Sequence, residues 1–109
     1  MPVVEITSLK QFQEIINSDT PSVIDFWATW CGPCRVISPI FEKFSDQAEY
    51  DGVKFYKVDV DAQEQISQEV GVRAMPTFIL FKSGNKVKDL VGANPPGLQT
   101  LLGFGKTLL

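Results

Sequence analysis

The sequence predicts an α/β domain of three layers, a mixed sheet of about five strands with about four flanking helices in the order βαβαβαββα. Three observations predict it. Apolar periods of strand type and helix type alternate along the first two-thirds of the chain. A turn signal, Ser83-Gly84-Asn85-Lys86, then joins two strand-like runs, which adds an antiparallel hairpin to strands that must otherwise be parallel. Finally, 109 residues, 44% hydrophobic and 21% charged, suit one domain with one core, so residues 1–109 are expected to fold as a single unit.

Each element has its own justification. Val3–Ile6 is β-branched and strand-like. Ser8 and Gln11 match a capping box ahead of Leu9, Phe12, Ile15 and Ile16, which recur at helical spacing. Pro21 punctuates the turn before Val23–Ala28 (VIDFWA), an apolar run expected of a strand covered on both faces. From the second cysteine onward, Val36, Ile37, Ile40, Phe41, Phe44 and Ala48 trace one helical face, with Pro39 inside it as an expected kink. Val53–Val60 is the third strand, and Ala62–Val70 a short helix with Ile66 and Val70 inward. Thr77–Lys82 and Lys86–Val91 form the hairpin. Asn94 and Pro95 open a last helix carrying Leu98, Leu101 and Leu102, which Gly103 and Gly105 should weaken at its end.

Composition narrows the function. The net charge is -3 and the ten Lys and Arg residues are dispersed, so nucleic acid is not an expected partner. The N-terminus, MPVVEITSLKQFQ, lacks the cationic start and apolar run of a secretory signal, and GKTLL carries no retention or prenylation motif. Apolar runs as short as Phe78–Phe81 predict no membrane span. A cytoplasmic protein with reduced thiols is the expectation.

Both cysteines lie in one stretch, Trp30-Cys31-Gly32-Pro33-Cys34. Three chemistries use such spacing. A structural zinc site wants four Cys or His ligands, and the chain has no histidine and no further cysteine, so only a dimer sharing thiols would supply them. A structural staple closing so small a loop would contribute roughly 2 kcal/mol, in a domain whose core does not need it. A reversible dithiol fits best. Residues i and i+3 on a first helical turn can reach each other, Pro33 suits that turn, and the helix N-terminus favours a thiolate at Cys31. The dipole contributes only about 0.3–1 kcal/mol, under one pKa unit, so hydrogen bonds from the Cys34 thiol and nearby amides must assist.

The stretches DFWATWCGPC, VISPIFEKF, VDVD, VRAMPTFILFKSG and VGANP together resemble the thioredoxin family over essentially the whole chain. The resemblance implies a general protein-disulfide reductase without bound cofactor or metal, re-reduced by a separate NADPH-dependent thioredoxin reductase and acting on oxidised proteins. It implies that Cys31 attacks and is the more exposed thiol, that Cys34 is the buried resolving thiol, and that Trp30, Gly32 and Pro33 support the motif. It implies a cis bond before Pro76, with Trp30, Val60, Met75, Pro76, Gly92 and Ala93 forming the substrate groove. Core packing is the competing reading for Val60, and Trp27 reads as core or motif support. Thr29, Asp59 and Pro95-Pro96 resemble eukaryotic, fungal members. A binding or chaperone subunit that keeps the fold without catalysis is the alternative.

Asp25 stands out within VIDFWA. A carboxylate buried there must titrate high or find a partner. Lys57, alternating with Phe55 and Asp59 on the next strand, is the candidate partner. Two readings follow: a tolerated buried charge pair, or a proton acceptor for Cys34 in a chain without histidine.

Overall fold

The structure, a computed structural model, describes residues 3–109. Five strands, β1 (Val4–Glu5), β2 (Ser22–Trp27), β3 (Lys54–Asp59), β4 (Thr77–Lys82) and β5 (Asn85–Val91), form one sheet in the order β1-β3-β2-β4-β5. β1 and β2 run parallel to β3, while β4 is antiparallel to both β2 and β5. Four helices, α1 (Leu9–Ile16), α2 (Gly32–Ser45), α3 (Glu64–Val70) and α4 (Pro95–Lys106), complete the predicted mixed three-layer architecture.

Strand alternation divides the core into two halves. Ile24 and Phe26 of β2 join Val58, Ile79 and Phe81 under Phe12 of α1 and Ile66 of α3. Val23 faces the other way, joining Phe55, Phe78 and Leu80 under Ile37 and Phe41 of α2 and Leu98, Leu101 and Leu102 of α4. The Phe41 ring sits between Phe55 and Phe78, with centroids 5.1 and 5.2 Å away. Asp25, next along β2 after Ile24, therefore belongs to the α2 side of the sheet.

Local chemistry sets the boundaries. The Gln11 amide donates to Ser8 Oγ at 3.1 Å, and the Gln11 side chain reaches back to the Thr7 amide at 2.8 Å, one residue earlier than a standard capping box. Ser83 and Gly84 have φ of 53° and 83°, the mirror-image turn that suits the twist of a two-residue hairpin. Asn94 Oδ1 caps α4 by accepting from the Gly97 amide at 3.0 Å.

Four expectations need correction. α2 ends at Ser45, and Ala48 is exposed in a 3-10 turn, Ala48–Tyr50. Val36 is 66% exposed, because Cys34, Ile37 and Phe41 define the buried stripe and Val36 stands one residue off it. α3 begins at Glu64 rather than Ala62, since Asp59 Oδ1 holds the Asp61 and Ala62 amides in a turn. α4 continues through Gly103 and Gly105 to Lys106; a Cβ at Gly105 would stand 3.2 Å from Leu80 Cδ1, so the glycine allows α4 to lie close on β4.

This packing predicts that Ile37→Ala loses about 2–5 kcal/mol of stability and Val36→Ala changes it by less than about 0.5 kcal/mol, read as shifts in urea midpoint.

Candidate active site

β2 is paired on both edges, and the chain leaves its C-terminal end through Ala28–Trp30 straight into α2. Cys31 is the N-cap of α2. Its Sγ accepts the Cys34 amide at 3.1 Å, its own amide donates to the Ala28 carbonyl at 3.2 Å, and Pro33 occupies the first turn, where no donor is required. The two cysteines are joined by a disulfide with Cα atoms 5.3 Å apart, as a first helical turn allows.

Exposure does not separate them: Cys31 is 3% and Cys34 2% exposed. In this oxidised form both cysteines are buried, and both join the apolar cluster of the α1 side. What separates them is their second neighbour. Cys34, and not Cys31, lines a cavity of about 360 Å³ shared with Asp25, Trp27, Ser38 and Lys57.

Asp25 is 2% exposed, and burial pushes its carboxyl up to about 7 from an ordinary 3.8, with Ser38 and then Lys57 pulling the other way. Ser38 Oγ donates to Oδ2 at 3.4 Å, and Oδ1 is buried without a partner, as is Trp27 Nε1. Lys57 pairs with Asp25 in the β2–β3 register and lines the same cavity, but it is half-buried and no ion pair within 4.0 Å joins them among the described residues. The buried charge pair is not formed; Lys57 acts on Asp25 through space.

The remaining predicted residues divide into two groups. Trp30 is 64% exposed beside the disulfide, its Nε1 donating to Asp61 Oδ2 at 2.9 Å. The Met75–Pro76 bond is cis, Met75 packs on the cluster holding both cysteines, and Val60 is buried in it at 7% exposure. The Gly92 amide donates to the Pro76 carbonyl at 2.9 Å; Gly92 has φ +107°, with nothing within 4 Å of where a Cβ would stand. Ala93 departs from this group and packs on the α4 side of the core. Gly32 is exposed, with open space at its Cβ position.

Two residues escaped the sequence reading. Asp61 was visible within VDVD but not as the partner of Trp30. Ser38 follows Cys34 by one helical turn, a spacing that by itself does not reveal contact with a strand.

Residues 3–102 match the family model described as Thioredoxin. A thioredoxin of Malassezia sympodialis is 58% identical over 97 residues, 89% of this chain and 92% of that protein. One from Coprinus comatus is 55% identical, with 89% and 92% covered. The Malassezia sympodialis crystal structure superposes with a TM-score of 0.93 at 53% identity, covering 97% of this chain and 95% of that one.

The raised carboxyl has a pH signature. Below about pH 4 Asp25 is protonated folded or unfolded, and its titration costs nothing. As pH rises from about 4 to 7 the unfolded chain releases a proton that the folded one keeps, so folding loses about 4 kcal/mol in total. Asp25→Ala removes this slope. Urea melts should show its stability relative to the native chain increasing from pH 4 to pH 8; a difference constant with pH would contradict the assignment.

Proposed function

The chain belongs to the thioredoxin family, and from that premise we propose a division of labour among its residues and a cellular setting. The Cys31–Cys34 pair is a dithiol–disulfide couple and the protein a protein-disulfide oxidoreductase. The non-catalytic alternative is not favoured, since the complete dithiol sits at the end of the central strand.

In the reduced protein Cys31 is the nucleophile. As N-cap it stands at the positive end of a helix of fourteen residues with an amide already directed at its sulfur, which stabilises a thiolate. Cys31 attacks one sulfur of a substrate disulfide, forming a mixed disulfide and releasing the other sulfur as thiolate. Cys34 then loses its proton across the shared cavity to the Asp25 carboxylate and attacks Cys31 Sγ. The Cys31–substrate bond breaks, the substrate leaves as a thiolate, and the Cys31–Cys34 disulfide remains. A carboxyl brought to about 7 is matched to accepting a proton near neutrality.

Trp30, Met75, Pro76, Val60 and Gly92 supply the surface on which the substrate chain lies, with Gly32 and Pro33 shaping the turn. Gly92 leaves room beside Pro76, and Trp30 is held by Asp61. Ala93 borders this surface from the α4 side. Electrons come from NADPH through a separate thioredoxin reductase, and the protein bears no cofactor of its own. The setting is cytoplasmic, and the cargo is electrons passed to oxidised proteins. The observation that carries this reading is the cavity joining Cys34, but not Cys31, to Asp25.

Reduction of a protein disulfide in the presence of dithiothreitol, followed by turbidity, tests the activity. Cys34→Ser should accumulate a mixed disulfide with oxidised substrate, visible as a mass adduct, and Cys31→Ser none. Equal trapping by both variants would reverse the assignment.

A further inference from the structure

We propose that Ser38 is a positioning residue for the proton transfer at Cys34: its hydroxyl holds Oδ2 of Asp25 and leaves Oδ1, buried without a partner, as the accepting atom. The proposal deepens the reading of Asp25 as proton acceptor and rests on it.

Cys34 and Ser38 are i and i+4 on α2, so their side chains stand on one face of the helix, and both border the cavity with Asp25. Strand alternation places Asp25 on this side of the sheet, under α2. The Ser38 hydroxyl at 3.4 Å is the one direct donor to the Asp25 carboxyl among the described residues. The other groups facing the carboxyl do not replace it. Lys57 comes from β3 without an ion pair, β4 presents Phe78 opposite Asp25 in register, and Arg35 and Glu42 of α2 lie along the same cavity. The Arg35 guanidinium is engaged elsewhere, donating to the Thr29 carbonyl at 3.0 Å.

A carboxylate buried without a donor favours its protonated form, which cannot accept a proton. A hydroxyl donating to Oδ2 favours the ionised form and fixes the carboxyl plane. In the resolving step the Cys34 S–H bond breaks and its proton joins Oδ1. The sulfur keeps the electron pair and uses it to bond to Cys31 Sγ, and the substrate sulfur departs with the pair of the broken S–S bond. Oδ2 remains bonded to Ser38 throughout.

The test compares the native chain with Ser38→Ala, Ser38→Thr and Asp25→Asn. Two quantities are followed against pH: the carbon-13 carboxyl shift of Asp25 in the oxidised protein, and the single-turnover rate of release from a preformed mixed disulfide. Ser38→Ala should raise both midpoints by about half a pH unit or more, and Ser38→Thr, which keeps the hydroxyl, should restore both. Midpoints unmoved in Ser38→Ala, or unrestored in Ser38→Thr, overturn the role of the hydroxyl. The Asp25→Asn release profile separates the two levels. If its inflection disappears while Ser38→Ala behaves as native, the Ser38 proposal alone fails. If the inflection persists in Asp25→Asn, Asp25 is not the acceptor, and the Ser38 proposal falls with that reading.

Discussion

The pairing of β2 on both edges is the constraint from which the rest follows. A strand hydrogen-bonded to β3 on one side and β4 on the other, with a packed half-core on each face, has no freedom in register. Its carboxyl end is thereby fixed, and with it the place where α2 starts. A dithiol built on that start needs no preparation by ligand or partner. The same constraint buries Asp25, third from the end of the strand, where it borders the cavity it shares with Cys34.

The site draws its asymmetry from this junction. Two chemically identical thiols receive different neighbours because one is the cap of the helix and the other lies inside its first turn. The cap meets the Cys34 amide, which favours a charged sulfur. The inner thiol shares a cavity with the Asp25 carboxyl, its proton acceptor in the proposed reading. In the proposed reading, geometry of the backbone rather than exposure assigns the roles.

Much of this was legible in the sequence because it rests on local patterns. Each strand core, the Ser8 and Asn94 caps, the Ser83-Gly84 turn and the dithiol all announce themselves within a few residues. Val36 misled because the buried stripe of α2 is narrower than its apolar composition suggests, and Ala48 because α2 ends three residues before it. Gly105 misled in the opposite sense, since its low helix propensity was outweighed by close packing on Leu80. The partners of Asp25 and Trp30 could not be read in advance. Each depends on a side-chain reach between elements, of 3.4 Å from Ser38 and 2.9 Å to Asp61, that no periodicity encodes. The same holds for Lys57: correct in register, it stops short of an ion pair.

The open sheet has a further consequence at its two borders. An uncovered strand edge is a template for a second chain, and a sheet this apolar would be a hazard if it ended in one. One border is β1, only two residues long. The other is β5, whose exposed Lys86, Lys88 and Asp89 carry charge along its length, with Lys86 and Asp89 paired at 3.3 Å. Neither border offers a long flat apolar ribbon, so the architecture that buries β2 so thoroughly also resists stacking with copies of itself in a crowded solution.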